Sequence, residues 1–307
     1  MREIAEALGR SHTSVSREMK RNFPKTFRRY TPRLAQERAV EKRKERGRKA
    51  RLKNGEVRAY VISHLKRRWS PEQISLRIKI DLKETLSHEA IYQYVYHQVS
   101  NGSNLTKRDC EDLRPYLRRR RRIRTPHGSR RCKRVLKPCG TSIEERPDVV
   151  NKRKRIGDWE GDTVESKDHR PGVNTLVERK TGFVFITKLK DKTSSATVHA
   201  VARRMDVLPQ RLKRTLTLDN GPENKDWRGM EKVTGMKTYF AHPYCSGERG
   251  TNENTNGLIR DFFPKKTDFS IIPDEEIRFV ERELNSRPRK RLKGRTPLEA
   301  LSGALTC

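Results

Sequence analysis

The stretch GDWEGDTV, residues 157–164, marks the point where the chain changes from a basic, helix-rich pattern to that of a β-sheet. Strand-like runs follow at 174–179 and 182–189, joined by the turn Lys180-Thr-Gly182. Beyond them the patterns predict a helix over 193–206 and strands at 215–219 and 237–240. The resulting order, β-β-β-α-β-α-β-α, predicts an α/β domain with a mixed sheet.

Acidic residues follow the strands of this predicted sheet. Asp219 ends its strand immediately before the turn residues Asn220, Gly221 and Pro222. Functional sites of α/β sheets gather at the carboxyl ends of the strands, so Asp219 is a candidate. Asp162 occupies a comparable place in the first strand, although spacing alone does not choose it over Asp158 or Glu160.

The stretch GERGTNENTNGLIRDFF, residues 247–263, contains two glutamates among asparagines and glycines. A helix here places Glu253, Asn256 and Arg260 on one polar face, at positions i, i+3 and i+7. The opposite face is apolar and consists of Leu258, Ile259 and Phe262. We therefore expect Glu253 to point towards the sheet edge that carries the two aspartates, and Glu248 to position or cap the helix entrance.

Asp162, Asp219 and Glu253 come from distant parts of the chain, and like charges repel one another at close range. Their assembly becomes favourable around Mg²⁺ or Mn²⁺, which are hard cations that take oxygen ligands. Two such ions support in-line phosphoryl displacement, the chemistry of a phosphodiester backbone. The pattern thus predicts a two-ion site acting on nucleic acid.

The first 21 residues predict a helix, a turn at Gly9 and a second helix that begins after the N-cap Ser11. Ile4, Ala5 and Leu8 share one face of the first helix. An ordinary helical hairpin is the alternative to a DNA-reading unit. In the DNA-reading interpretation, the outward residues contact base edges and phosphates in a major groove: His12, Thr13, Ser16, Arg17 and Lys20.

A second helix pair is predicted from Ser70, with a capping-box Gln73, and from Ser87. Residues 41–53 indicate a charged helix or linker. Further on, the arginines of 114–124 predict a flexible arm lying on phosphates, and a solvated linker is the alternative. The predicted DNA contacts in this arm are Arg118, Arg119, Arg120, Arg121 and Arg122. Asn256 and Arg260, on the predicted helix that carries Glu253, are further candidates for DNA contact.

The composition favours a nucleic-acid partner. The net charge is +33, and the excess of Lys and Arg is more than twice as large in residues 1–150 as in 151–307. A structural or ribosomal basic protein is the alternative.

Neither a membrane span nor a signal peptide is predicted, so we expect a cytoplasmic protein. Five scattered cysteines argue against a disulfide framework, and a partial zinc site lacks a fourth ligand beside His127, Cys132 and Cys139.

Five motifs together resemble the bacterial IS-thirty family of insertion-sequence transposases: DWEGDTV, LVERKTGF, TLTLDNG, HPYCSGERGTNENTNGLIRDFFPKKTDF and LNSRPRKRLKGRTPLEAL. The resemblance spans nearly the whole chain and implies an RNase H-like integrase core. It also implies a DDE triad of Asp162, Asp219 and Glu253. The chain departs from the family pattern at Asn224, where an aromatic residue is usual, and at Cys245-Ser-Gly247, where Pro-Trp usually precedes ERG.

The resemblance and the patterns together predict five segments. These are a helix-turn-helix at 1–40 lacking its first helix, a charged segment at 41–68, a second helix-turn-helix-like unit at 69–110, a basic arm at 111–150 and the catalytic core at 151–307. We expect a DNA transposase that binds terminal inverted repeats, works as a homo-oligomer on DNA and carries out strand cleavage and strand transfer. An inactive copy that only binds DNA and an RNase H-type nuclease are the alternatives.

Overall fold

The computed structural model describes residues 1–23, 29–46, 52, 54–99, 111–117, 140–243 and 245–306. The chain forms two compact units, Met1–Gly55 and Glu56–Cys307. No helix among the described residues is long and apolar enough to cross a membrane.

The described residues of the first unit form the helices α1 (Arg2–Ala7), α2 (His12–Asn22) and α3 (Pro32–Arg46). Gly9, between α1 and α2, has a φ of 59°, a left-handed conformation that glycine adopts without steric cost. The Ser11 side chain accepts a hydrogen bond from the backbone N–H of Ser14 and caps α2. The helix pair and its N-cap therefore lie where the sequence predicts them.

The packing of this unit differs from the predicted pattern in two respects. Of the expected apolar face of α1, Ala5 is buried, whereas Ile4 and Leu8 are 50% and 62% exposed. A third helix follows the pair: the Arg38 guanidinium of α3 donates a hydrogen bond to the Asn22 carbonyl oxygen at 3.3 Å. The six-residue α1 is too short to bury a full apolar stripe, and it buries one small side chain.

The second unit is built on a five-stranded sheet with strand order β3-β2-β1-β4-β5. β1 and β2 are antiparallel, as are β2 and β3, while β1, β4 and β5 run parallel. This mixed sheet and its element order confirm the RNase H-like α/β core expected from the sequence. The strands are β1 (Asp158–Val164), β2 (Val173–Glu178), β3 (Val184–Lys188), β4 (Thr215–Leu218) and β5 (Lys237–Phe240).

In the part of the chain that the structure describes, the α-helices that accompany the sheet are α7 (Asp148–Asn151), α8 (Ser194–Asp206), α9 (Trp227–Thr234), α10 (Gly250–Phe262), α11 (Asp274–Asn285) and α12 (Pro297–Thr306). Two buried apolar clusters hold the layers together. One joins strand residues such as Trp159 and Leu216 to Val201 of α8 and Met230 of α9. The other joins Val164 and neighbouring strand residues to α10 and α11. Burial of apolar surface on both faces is the main term that stabilises this core.

Three more helices precede the sheet: α4 (Gly55–Lys66), α5 (Pro71–Asp81) and α6 (His88–His97). Ser70 and Gln73 form the capping box at the start of α5, and Ser87 caps α6. α4 lies in the second half of segment 41–68, which the sequence predicts to be a charged helix or linker. It buries one apolar stripe, consisting of Val57, Val61 and Leu65.

These helices belong to the same compact unit as the sheet. Arg67 forms an ion pair with Glu283 of α11 at 2.9 Å, and Arg77 of α5 forms one with Glu299 of α12 at 2.8 Å. The Arg68 guanidinium donates to the Asp261 carbonyl oxygen and lies over the Phe262 ring. The helix pair predicted as a separate unit is therefore attached to α10, α11 and α12.

Candidate active site

Asp162 and Asp219 lie side by side near the carboxyl ends of the neighbouring parallel strands β1 and β4. In the parallel pair β1 and β4, Glu160 is opposite Thr217, and each aspartate lies two residues further along its own strand direction. Because side chains alternate across a sheet, a two-residue step returns to the same face on both strands. The topology therefore brings the two carboxylates together, as the sequence predicts.

The Arg249 guanidinium lies between the two aspartates. Its Nη1 is 3.2 Å from Asp162 Oδ1, and its Nη2 is 3.1 Å from Asp219 Oδ2. Nη1 also donates a hydrogen bond to the carbonyl oxygen of Gly161 at 3.1 Å. The Arg249 side chain is only 14% exposed, so water screens these contacts incompletely. A positive charge thus occupies the position between the paired carboxylates.

Asp162 is oriented by α10. Asn256 Nδ2 donates a hydrogen bond to Asp162 Oδ2 at 2.8 Å, and Asn256 Oδ1 accepts one from the Thr175 hydroxyl at 3.2 Å. The Thr163 backbone N–H donates to Asp162 Oδ1 at 3.0 Å. Burial raises the pKa of Asp162 and the negative charge of Asp219 raises it further, whereas Arg249 lowers it. Removal of the positive charge would therefore disfavour the ionised form.

Asp219 is oriented by the turn that follows β4. Asn224 Nδ2 donates a hydrogen bond to Asp219 Oδ1 at 2.7 Å, and the Gly221 backbone N–H donates to the same oxygen at 3.1 Å. Asn224 is 4% exposed. The residue that departs from the family pattern is thus a buried donor that holds the aspartate, leaving Asp219 Oδ2 directed at Arg249.

Glu223 is a carboxylate near the site that the sequence reasoning did not select. It is half-buried, and burial raises its pKa, with further contributions from the negative charges of Asp219, Asp162 and Glu165. Its position four residues after Asp219, in the turn DNGPEN, was the available signal. A turn glutamate looks like a solvated charge until the fold places it beside the aspartates.

Asp158 and Glu160, which spacing could not separate from Asp162, make ion pairs and hydrogen bonds that stabilise the core. Asp158 pairs with Arg155 at 2.9 Å and accepts a hydrogen bond from the Thr215 hydroxyl. Glu160 is fully buried and pairs with Arg179 at 2.9 Å. It also accepts the backbone N–H of Asn252 at 2.8 Å, which joins β1 to α10. Both carboxylates are neutralised by arginines away from the paired aspartates.

Glu253 lies in the first turn of α10 and is exposed. In the described part of the chain it makes no hydrogen bond or ion pair, and no group of three His, Cys, Asp or Glu side chains there is arranged to hold a metal ion. The structure therefore assembles Asp162 and Asp219 and leaves Glu253 outside that cluster. Arg249, four residues earlier, occupies the space between the aspartates instead.

Glu248 anchors the entrance of α10 rather than capping it by itself. Its Oε2 accepts the His242 backbone N–H, and its Oε1 is 2.8 Å from His242 Nδ1. Glu248 raises the pKa of His242 through this hydrogen bond and its charge. The contact ties the loop after β5 to the turn that carries Arg249.

The predicted DNA contacts fall into three groups. On α2, Ser16 is half-buried, and the other four residues are exposed: His12, Thr13, Arg17 and Lys20. The Arg260 guanidinium donates to the carbonyl oxygens of Glu165 and Pro264, and Asn256 is committed to Asp162. The remaining candidates lie outside the described residues, as does the partial zinc site; they are Arg118, Arg119, Arg120, Arg121, Arg122, His127, Cys132 and Cys139.

Two solved catalytic cores are similar to about half of the chain. The catalytic core of BIV integrase in crystal form I is similar, with 18% identity, a TM-score of 0.40 and coverage of 50% of this chain and 98% of that chain. The HTLV-2 integrase catalytic core in complex with magnesium gives 22% identity, a TM-score of 0.37 and coverage of 48% and 97%. No family model matches the sequence.

Full-length relatives are much closer in sequence. The chain is 37% identical, over 96% of its length and 88% of the relative, to the transposase for insertion sequence element IS4351 of Bacteroides fragilis. It is 36% identical to transposase InsI for insertion sequence element IS30A of Escherichia coli K12, over 98% of this chain and 78% of that one. The transposase for IS1086 of Cupriavidus metallidurans is 33% identical over 99% and 89%. The chain therefore belongs to the IS30 (IS-thirty) family of insertion-sequence transposases.

Proposed function

We propose that the chain is a DDE transposase that uses Asp162, Asp219 and Glu253 with divalent cations to cut and rejoin DNA. One observation carries the proposal: two carboxylates on adjacent parallel strands hold a single cationic group between them, at 3.2 and 3.1 Å. The guanidinium of Arg249 stands in for a metal cation in this arrangement. The family membership supports the same reaction class.

The residues present fit Mg²⁺ or Mn²⁺. Asp162 Oδ1 and Asp219 Oδ2 face the shared cationic position, and Asn256 and Asn224 fix the remaining oxygens. A set of carboxylate oxygens of this kind suits hard cations. Glu253, one helical turn after Arg249, is the proposed third carboxylate, and two ions are the proposed complement.

Bound divalent cations would activate the attacking hydroxyl and stabilise the leaving oxygen of an in-line phosphoryl displacement. The protein's own contribution is to hold the two aspartates at a fixed separation through Asn256, Thr163, Asn224 and Gly221. Arg249 would have to leave the two aspartates for divalent cations to take its place, since its guanidinium contacts both carboxylates. Water would act in strand cleavage and a DNA 3′-hydroxyl in strand transfer.

The proposed substrate is double-stranded DNA carrying the terminal inverted repeats of the element, together with target DNA. The exposed residues of α2 suit major-groove recognition, and the net charge of +33 suits a polyanion. Because two ends have to be joined, we propose a homo-oligomer on DNA, with C2 symmetry as the simplest arrangement. The site of action would be the bacterial nucleoid.

The test supplies Mg²⁺ and a labelled duplex containing the element's ends to the full chain and to single variants. Asp162→Asn, Asp219→Asn and Glu253→Gln should each abolish cleavage and strand transfer while leaving binding of the ends intact. Glu276→Gln, an exposed neutralisation on α11, is the matched control and should retain activity.

The outcomes separate the proposal from its rivals. Equal product from the unaltered chain and from Asp219→Asn would show that the aspartates are not catalytic. Binding of the ends without product from any form would favour a protein that only binds DNA. Preferential cutting of an RNA–DNA hybrid in competition with the end duplex would favour an RNase H-type nuclease. Loss of activity in Glu223→Gln but not in Glu253→Gln would identify Glu223, in the turn after β4, as the third catalytic carboxylate.

A further inference from the structure

A second basic site lies away from the paired aspartates. An open groove of about 740 Å³ is lined by Leu292 and five cationic residues, and no carboxylate takes part in its lining. We define the basic groove by these five cationic residues, which are Arg153, Lys180, Arg291, Lys293 and Arg295.

The groove is at the end of the sheet opposite the aspartates. Lys180 follows β2 in the turn to β3, and Glu178 at the end of β2 is opposite Trp159 near the start of β1. Asp162, by contrast, is opposite Thr175. Three residues of strand separate these levels, which is about 10 Å at a rise of about 3.3 Å per residue. The groove is therefore a separate surface and not an extension of the candidate active site.

Local backbone structure brings the cations together. The Arg289 N–H donates to the Arg295 carbonyl oxygen, and the Gly294 N–H donates to the Arg289 carbonyl oxygen, which closes the loop 289–295. Lys293 has a φ of 55° in that loop. Gly182 has a φ of 73°, a left-handed conformation that glycine adopts without steric cost, and its backbone lies against the Arg291 guanidinium. The groove is thus formed by ordered turns rather than by a chance meeting of long side chains.

The charges of the groove are not neutralised within the part of the chain that the structure describes. None of its five cations forms an ion pair with a carboxylate there. The two buried carboxylates whose charges act on Arg291 make their own contacts with other residues. Glu178 accepts hydrogen bonds from Thr181, and Glu160 pairs with Arg179. Desolvation lowers the pKa of Arg291 and the positive charge of Arg153 lowers it further, whereas the negative charges of Glu178 and Glu160 raise it. Crowding of like charges is unfavourable unless a polyanion is bound.

We infer that the basic groove binds the phosphate backbone of duplex DNA without reading its sequence. This rests on the proposed action on DNA, which requires the protein to hold an element end and a target segment at the same time. Phosphate contacts from Lys and Arg give affinity and position but no choice of sequence. A groove remote from the aspartates suits the part of a duplex that runs beyond the reacting phosphodiester.

The test compares two variants of the full chain that lose the same charge. The groove variant combines Arg291→Gln, Lys293→Gln and Arg295→Gln. The control variant combines Lys190→Gln, Lys192→Gln and Lys232→Gln, three exposed lysines outside the groove. Binding of a labelled duplex of random sequence is followed by fluorescence anisotropy from 50 to 200 mM salt, without divalent cations. Circular dichroism checks that both variants are folded.

If each of the three cations neutralises one phosphate, the slope of log K against log salt becomes shallower by up to about 2.7, at about 0.9 per phosphate. The control variant should keep a slope close to that of the unaltered chain. Equal slopes and affinities for the two variants would overturn the inference, as would a larger loss of binding to single-stranded RNA or to anionic vesicles than to duplex DNA. Failure of the unaltered chain to bind duplex DNA would instead count against the proposed function.

Acetylation of the unaltered chain gives a second measurement that does not depend on the variants. A random duplex should protect Lys180 and Lys293 from acetylation and leave Lys232 as reactive as in free protein. Full reactivity of both groove lysines in the DNA complex would refute the inference even if the groove variant failed to fold.

Discussion

Replacement of Arg249 by glutamine tests the central feature of the candidate site, a guanidinium between two carboxylates. The change preserves much of the side-chain length and polarity but removes the positive charge from between Asp162 and Asp219. Without divalent cations, the two aspartates then repel each other across a partly buried space. We expect Arg249→Gln to lower the free energy of unfolding and also to make that free energy respond more strongly to Mg²⁺.

The magnitude follows from burial. Breaking a fully buried ion pair costs about 3–5 kcal/mol. Asp162 and Asp219 retain 22% and 33% exposure, so solvent screening reduces the expected loss to about 2 kcal/mol. In a unit of this size, about 2 kcal/mol corresponds to a fall in Tm of roughly 4–8 °C. Mg²⁺ at one hundred times its Kd would restore about 2.7 kcal/mol.

The assay is a thermal melt with and without Mg²⁺, in EDTA-treated buffer, for the unaltered chain, Arg249→Gln and Arg249→Lys. Arg170→Gln, which removes an exposed arginine paired with Asp268, is the matched control and should shift Tm little. In the unaltered chain Mg²⁺ competes with Arg249, so its stabilising effect should be smaller than in Arg249→Gln. An Mg²⁺ response of the same size in both forms would refute the idea that the guanidinium occupies the cation position.

Three further outcomes follow from individual contacts. Asn224→Leu removes the donor that holds Asp219 Oδ1 at 2.7 Å. Single-turnover cleavage should slow by roughly 10–100-fold, the equivalent of losing about 1–3 kcal/mol. The circular dichroism spectrum should stay unchanged. Glu160→Gln leaves the buried Arg179 without its partner and should lower the free energy of unfolding in urea by about 3–5 kcal/mol, whereas Glu276→Gln should change it little. The pKa of His242 lies above its ordinary value of about 6.5 because of Glu248, so the contact's contribution to stability is complete below pH 6.5 and is lost as pH rises through the raised pKa. Melts between pH 6 and pH 9 should show this loss in the unaltered chain and not in His242→Gln; the same pH profile in both would contradict the assignment.

Local signals in the sequence predicted much of the fold. Ser11, Ser70 and Ser87 each start a helix where capping chemistry indicates one, because an N-cap acts over three residues of contiguous chain. The alternation of the strands and the turns between them predicted the element order of the core. These features depend on neighbours in sequence, so a single chain is enough to find them.

The features that sequence could not provide depend on contacts between distant residues. Asp158, Glu160 and Asp162 are equivalent by spacing. Asp158 and Glu160 each pair with an arginine of their own, whereas Asp162 shares Arg249 with Asp219. Arg249 approaches Asp162 across 87 positions of the chain, so no local pattern indicates that it lies between the aspartates. Asn224 looked like the loss of an aromatic residue, and its role as a buried donor emerged only from the turn after β4.

The attachment of α4, α5 and α6 to the core has a geometric consequence for the choice of cleavage position. Arg67 and Arg68 at the corner between α4 and α5 reach Glu283 and the last turn of α10, the helix that carries Asn256 and Glu253. A duplex held by α5 and α6 would therefore lie at a set distance from the aspartates. That distance would correspond to a fixed number of base pairs between the bound sequence and the cleaved phosphodiester. Within this unit the protein, and not the length of a tether, would determine how far from the recognised sequence the strand is cut.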